Sequence, residues 1–312
     1  MANSPFFTVV IPTYNHAAYI GPCLESLRRQ SFGDWHAVVV NNYSQDNTEA
    51  IVLGFRDPRI HLINFDNRGV IAASRNEGIR HARGRYIAFL DSDDEFLPGK
   101  LRAVFEATRQ HASAALLSHL LWERDVITGK LRVLDPHRSY SFSYRNLLLY
   151  GNHLLNSATV VARSFIESNS IRLNENPAFV SCEDYDLWLQ CASHGARHVL
   201  IDQVLGVYNI LPGSASGNFP KHHARVGQLL RWHCYEVQSF SAWPGWLWYR
   251  AVASTELAKA ARYWHAGQRL KAGLHFAGAF ARNPACCIGH INHMVLRFFR
   301  RKRWQAPAAL CR

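Results

Sequence analysis

The sequence predicts an α/β protein: a mostly parallel sheet flanked by helices, with a C-terminal helical appendage. Two patterns in the first hundred residues carry this prediction. Short apolar runs rich in β-branched residues alternate with stretches whose apolar residues recur at three- and four-residue spacing. The apolar runs are also nearly continuous, as strands buried on both faces by crossover helices require. A third observation, the distribution of charge, separates the appendage. Residues 1–220 hold 20 Lys+Arg and 21 Asp+Glu, whereas residues 221–312 hold 15 and 2, so the net charge of +12 arises entirely in the last third. The shift falls at the turn-rich "PGSASGNFP", and the expected division is 1–215 for the α/β domain and 216–312 for a basic, amphipathic helical region.

Taken in order, "FFTVVIP" is the first strand and "AAYIGPCLESLRRQ" the first helix, with Tyr19, Ile20, Leu24 and Leu27 at helical spacing. "WHAVVVNN" repeats the strand signal, and "DNTEAIVLGF" reads as a helix that Asp46 or Asn47 is able to cap. "RIHLINF" and "RYIAFLD" are further strands around the helical "GVIAASRNEGIRHA". Beyond Ala114 the pattern is less regular. "ALLSHLLW", "SATVVAR" and "RHVLIDQVLGVY" read as strands and "KLRVL" as an edge strand, while "EDYDLWLQCASHG" reads as a helix closed by Gly195.

Composition narrows the function classes. An apolar fraction of 48% with 19% charged residues describes a globular protein with a sizeable core. No apolar run reaches the roughly 18 residues of a spanning helix. "MANSPFFTVVIP" has no basic segment before its apolar one, which predicts no secretory signal and a cytoplasmic chain. Seven cysteines without C-x-x-C spacing point to reduced, buried thiols rather than disulfides or zinc. The basic last third lacks any zinc, RNP or helix-turn-helix signature, so no nucleic-acid partner is expected.

In open parallel sheets, ligands bind beyond the carboxyl ends of the strands. "PTYN", "NNYSQD" and "DSDDE" each follow a strand directly and should line one crevice. The last of these crowds Asp91, Asp93, Asp94 and Glu95 into five positions. Read alone, the cluster is either a solvated turn or a set of hard oxygen donors whose mutual repulsion a divalent cation relieves. The convergence of three strand-end loops favours the cation.

The ordered set "VVIPTYN", "VVVNNYSQDNT", "NRGVIAASRNEGI", "YIAFLDSDDEF" and "CEDYDLWLQCASHG" resembles the family 2 glycosyltransferases over about residues 6–215. Each motif is weak, but five in order are specific. The resemblance implies the GT-A fold, an inverting transfer from a nucleotide sugar, and Mg²⁺ or Mn²⁺ bridging the donor diphosphate to the acids. By that resemblance Asp93 is the direct metal ligand, and Asp91 contacts the ribose or the metal's water shell. Asp94 either shares the metal or, with Glu95, caps the entry of the next helix. Asp184 takes the position of the catalytic base, Glu183 supports it or touches the acceptor, and Trp188 packs under an acceptor sugar ring. Pro12, Thr13 and Tyr14 hold the nucleotide base, with Arg75 and Asn76 as further nucleotide contacts, whereas Asn15 is expected to cap the first helix.

The chemistry agrees with these roles. Glycosyl transfer leaves negative charge on the departing phosphate, which a cation offsets. The attacking hydroxyl must lose a proton to a carboxylate or histidine within reach. Two departures stand out. Asn42 occupies the position where the family carries an acid that accepts from the base, although an amide oxygen still accepts and keeps uracil, hence a UDP-sugar, as the expected donor. "YNILPGSAS" has Asn209 and Leu211 where the family carries Arg and His, leaving His222 and His223 as possible substitutes at the metal.

The expected acceptor is a glycan or lipid-linked hydroxyl, in bacterial surface polysaccharide synthesis. The alternatives are a nucleotide-sugar-binding protein without turnover and a nucleotidyltransferase. The former has no chemical need for Asp184, and the latter wants a Gly-rich basic loop that "PTYNHAAYIG" is not. Residues 284–304 are expected to rest on the cytoplasmic face of an anionic membrane. Cys287, Ile291, Met294, Val295 and Phe298 share one helix face there, and Arg297, Arg300, Arg301 and Arg303 cluster beside Phe299 and Trp304. "SAWPGWLWYR" adds three tryptophans of the same amphipathic character.

Overall fold

A computed structural model describes residues 4–135, 141–211 and 219–300, with side chains in the last segment described from Pro220 to Asn292. The first half alternates as the periodicity predicts. Strands β1 (Phe7–Thr13), β2 (Trp35–Asn41), β3 (Ile60–Asn64) and β4 (Tyr86–Phe89) are joined through helices α1 (Ala17–Arg28), α2 (Thr48–Gly54) and α3 (Ile71–Arg80). All four strands run parallel, β1 lying between β2 and β4 with Phe7 opposite both Trp35 and Tyr86. Every residue of β1 and β2 is buried. Successive side chains of β1 leave on opposite faces, so Phe7, Val9 and Ile11 meet α1 through Ile20, Leu24 and Leu27. Val10 packs on the other face with Ile87, Phe89 and Trp188. Asp46 closes both helix starts on this edge: its carboxylate accepts from the Ala17 N–H and from the Thr48 N–H and hydroxyl.

The second half extends the sheet with strands of both directions. The added elements are β5 (Glu95–Phe96), α4 (Lys100–Gln110), β6 (Leu116–Asp125), β7 (Leu131–Leu134), α5 (Tyr144–Tyr150), β8 (Thr159–Ala162), α6 (Arg163–Ser168), α7 (Glu183–Ser193) and β9 (His198–Ile210). The described residues form a nine-stranded sheet ordered β3-β2-β1-β4-β8-β6-β9-β5, with β7 on β6. β8 is antiparallel to both neighbours and β9 parallel to β6. β7 is the expected edge strand, and Gly195 closes α7 at φ +74°.

One local expectation fails. Asp94 and Glu95 do not cap the next helix, which starts at Lys100 behind Gly99 without a side-chain cap. Glu95 and Phe96 form a two-residue strand on Val207 and Gly206 of β9 instead, and Glu95 pairs with Arg124. A two-residue strand carries no period for a sequence to display.

Close packing of helix on sheet explains Gly78. A Cβ at this position in α3 would sit 2.4 Å from Val10 Cγ1, a β-branched side chain fixed inside the sheet. Gly78→Ala is therefore expected to destabilise the fold by about 1–3 kcal/mol, the usual cost of overpacking. The midpoint of urea denaturation should fall with an unchanged slope.

The C-terminal region is helical: α8 (Phe219–Trp232), a π-helical turn (His233–Val237), α9 (Pro244–Ala251), α10 (Ala253–His265), α11 (Arg269–Arg282) and α12 (Pro284–Arg300). Val226, Leu229, Leu230, Leu247 and Ala251 from α8 and α9 join the apolar cluster that holds α5 and α7. A buried polar chain reinforces this junction. His233 Nε2 lies 2.8 Å from Asp186 Oδ1 on α7, and its Nδ1 lies 3.0 Å from the Tyr144 hydroxyl on α5. Six cysteines are free and buried, as expected, and Cys311 lies outside the described residues.

Candidate functional site

The ends of β1, β2 and β4 open into a cleft of about 870 Å³ whose opposite wall is the start of α7 together with α8 and α10. Pro12, Thr13, Tyr14 and Asn42 line one side of it, and Asp91, Asp93 and Asp94 the floor. Glu183 and Asp184 lie across from them, with Leu211, His222, His223, Ser254 and Thr255 beyond. The three strand-end loops converge because parallel strands deliver all their carboxyl ends to one edge.

The nucleotide side is half open. Tyr14 is 49% exposed and offers its ring to the cleft, while the buried Thr13 hydroxyl has no hydrogen-bond partner among the described residues. Asn42 is anchored at this edge: its N–H donates to the Thr13 carbonyl and its side-chain oxygen accepts from the Asn67 N–H. Asn15 does not cap α1 as expected. At φ +51° it turns its side-chain oxygen to the Gln45 N–H, tying the β1 loop to the β2 loop.

The acids differ in how far the protein satisfies them. Asp91 Oδ1 accepts from Arg75 at 2.7 Å and from Asn156 at 2.9 Å. Asp94 is turned inward: its two oxygens accept from the Ser157 hydroxyl and the Asn209 N–H. This corrects the expectation that Asp94 shares a metal, because the residue is only 1% exposed and its carboxylate faces the β8 and β9 sides of the sheet. Burial, followed by the charges of Asp93 and Asp91, holds its carboxyl well above the usual range. Asp93 is the acid left over. Its side chain is partly exposed at the cleft and accepts no hydrogen bond from another described side chain. Burial and then the neighbouring Asp91 push it up to about 6. A carboxylate in that condition suits a cation, since a positive charge would relieve both causes at once.

Asn209 acts as a clamp, donating its backbone N–H to Asp94 and its side-chain amide to the Asp93 carbonyl. Leu211 is buried at the cleft. His222 pairs with the Ser181 hydroxyl at 3.2 Å. Among the described residues no three His, Cys, Asp or Glu side chains gather closely enough to hold a metal unaided, so His222 and His223 do not join the acids.

The first turn of α7 presents Glu183 and Asp184. Glu183 is 4% exposed, and its Oε1 meets Arg75 Nη1 at 2.5 Å. Asp184 is partly exposed to the cleft and accepts only from the adjacent Tyr185 N–H among the described residues. Burial, and then Glu183, push its carboxyl up to about 7. That value is suited to taking a proton near neutrality.

Arg75, expected as a nucleotide contact, is itself buried at 4% exposure and bridges Asp91 at the floor to Glu183 on the opposite wall. Two further expectations are corrected. Asn76 points away from the cleft, donating to the Leu173 carbonyl and Glu175 and accepting from the Leu173 N–H. Trp188 is fully buried, edge-on to Phe89 with ring centroids 6.0 Å apart, so no sugar ring reaches it. One turn beyond Asp184, it lies on the core side of α7. Asn156 and Ser157, which orient the acids, and Ser254 and Thr255, on the far wall, sit in no recognisable motif.

Residues 8–165 match the family described as Glycosyl transferase family 2. Among individual proteins, the chain is 31% identical over 224 residues to the succinoglycan biosynthesis protein ExoO of Rhizobium meliloti, covering 68% of this chain and 63% of that one. It is 28% identical over 225 residues to WfaP of Escherichia coli, a UDP-Glc:alpha-D-GlcNAc-diphosphoundecaprenol beta-1,3-glucosyltransferase, covering 72% and 85%. Among solved structures it resembles S. aureus TarS 1-349 in complex with UDP-GlcNAc, with TM-score 0.60, 17% identity and coverage of 89% and 92%. It also resembles the mannosyltransferase PcManGT of Pyrobaculum calidifontis in complex with GDP-Man and Mn²⁺, with TM-score 0.56, 18% identity and coverage of 99% and 86%. At these identities the structural likenesses speak to the fold alone.

Proposed function

Because the chain belongs to glycosyl transferase family 2, we propose that it moves a sugar, with inversion, from a UDP-sugar to a hydroxyl of a lipid-linked or glycan acceptor in bacterial surface polysaccharide synthesis. The observation that carries this reading is the pair of under-satisfied carboxylates, Asp93 and Asp184, lining one cleft. WfaP acts on a diphosphoundecaprenol-linked sugar, and TarS binds UDP-GlcNAc, which supports the acceptor and donor classes.

In this reading Tyr14 stacks on the base, Thr13 supplies a hydroxyl and Asn42 frames the base edge. Asp93, with Asp91 beside it, would hold Mg²⁺ or Mn²⁺, the remaining ligands being water and the donor phosphates. The cation would offset charge on the departing diphosphate. Asp184 receives the acceptor's proton as the hydroxyl attacks the anomeric carbon. Arg75 pairs with both Asp91 and Glu183 and fixes them, so the floor and the wall hold their spacing. Residues 284–304 rest on an anionic membrane; of these, Met294, Val295, Arg297, Phe298, Phe299, Arg300, Arg301, Arg303 and Trp304 lie outside the described side chains. Among the described residues, no helix is long and apolar enough to cross a membrane.

The test is a thermal-shift screen of UDP-, GDP- and ADP-sugars with and without Mn²⁺. A UDP-sugar with Mn²⁺ at a hundred times its Kd should stabilise the protein by about 2.7 kcal/mol, read as a raised Tm. A flat response to every nucleotide sugar would overturn the proposal.

A further inference from the structure

The sequence pattern draws attention to α12, but the structure exposes a second apolar surface on α11. One side of α11 is a conventional packing face: Ala272 and Ala279 are buried, and His275 pairs with Glu256 of α10 at 2.7 Å. The opposite side is apolar as well, and faces outward. Leu270 is 80% exposed, Leu274 66% and Phe280 46%, and the residues between them on that face, Gly273, Ala277 and Ala281, are also exposed. With Phe276 these side chains span an arc of about 160° at 100° per residue.

Each end of α11 also carries a basic side chain set over an aromatic ring. Arg282 lies over the Tyr249 ring of α9 at 5.4 Å, and Tyr249 stacks on Trp246, which is 61% exposed. On the other flank Arg269 lies over Trp264 at 3.7 Å. Exposed aromatic rings and basic groups thus sit together at both ends of α11. Residues 257–312 contain eleven Lys+Arg and no Asp or Glu.

From this arrangement we infer that the outward face of α11, flanked by Trp246 and Trp264, is the surface by which the protein enters the interface of an anionic lipid bilayer. Charge selects the occupant. A second copy would set one basic rim against another, whereas anionic head groups neutralise the rim while leucine and phenylalanine side chains enter the acyl boundary. Tryptophan rings settle at the same depth. The placement also suits the reaction. Ser254, Thr255 and Ala258 of α10 line the cleft while α11 packs on α10, so only these two helices separate the lipid surface from the far wall of the cleft. The inference rests on the membrane reading above but assigns the inserting face to a different helix.

The experiment is co-sedimentation with phosphatidylcholine vesicles containing about one third phosphatidylglycerol, a stand-in for an anionic leaflet. Three full-length chains are compared: the wild type, the triple variant Leu270→Ser, Leu274→Ser, Phe280→Ser, and a variant with Arg297, Arg300, Arg301 and Arg303 changed to Gln. All three substituted apolar side chains are solvent-exposed, so the thermal midpoint of the triple variant should match the wild type. Its vesicle affinity should fall more than about tenfold, because three large apolar side chains no longer gain from leaving water. If the triple variant binds as tightly as the wild type while the arginine variant does not, α11 is not the inserting face and attachment through residues 284–304 stands. If the wild type ignores the vesicles, both readings fall. If size-exclusion chromatography shows a dimer that the triple variant dissolves, the face pairs with a second copy and the inference is overturned.

Discussion

Asp93→Ala is expected to abolish glycosyl transfer and remove the Mn²⁺ dependence of donor binding while leaving the fold intact. The side chain faces the cleft and accepts no bond from another described side chain, so its removal leaves no buried group unpaired. It should relieve strain, since burial and Asp91 already raise the cost of its ionisation. Thermal midpoint without ligand should hold or rise, donor binding measured by calorimetry should become insensitive to Mn²⁺, and turnover should drop by at least about 10³-fold, the order seen when one group stabilising transition-state charge is lost. Near wild-type turnover in Mn²⁺ would return the acidic cluster to the status of a turn. Asp94→Asn provides the contrast. Asp94 is bonded to Ser157 and Asn209, so its substitution should lower stability more than it alters the metal response.

Asp184→Asn should lower the transfer rate by about 10²- to 10⁴-fold, or about 3–5 kcal/mol in the barrier, with donor affinity nearly unchanged. The amide is isosteric and can still accept from the Tyr185 N–H, so only proton acceptance is lost. The pH profile supplies an independent check. Asp184 is pushed up to about 7, so below that pH it is protonated and cannot serve as a base. For the wild type, kcat/KM should therefore rise with pH through an apparent pKa near 7, and the variant's profile should lack that limb. A parallel loss of donor binding and rate would instead assign Asp184 to the donor side of the cleft.

Much of this molecule is written locally. The βαβ alternation follows from apolar periodicity, and with it the convergence of the loops after β1, β2 and β4, because parallel strands must all end at one edge. Asp91, Asp93, Glu183 and Asp184 were legible because they follow such strand ends or open a helix within an ordered set of motifs. What the sequence could not decide was direction. Trp188 and Asp184 lie one turn apart on α7, yet one is sealed against Phe89 and the other opens to the cleft. Arg75 and Asn76 are adjacent on α3, but the 100° between them sends one to Asp91 and Glu183 and the other to Leu173. Asp93 and Asp94 divide in the same way: β9, more than a hundred residues later, brings the Asn209 N–H to Asp94 and leaves Asp93 to the solvent side. Even the apolar face of α11 reads as an ordinary buried stripe until α10 is seen to occupy the opposite face. The periodicity of a sequence determines that a helix or strand has a face; only the tertiary contacts, many of them made by distant residues, determine what each face meets and so which side chains remain free to act.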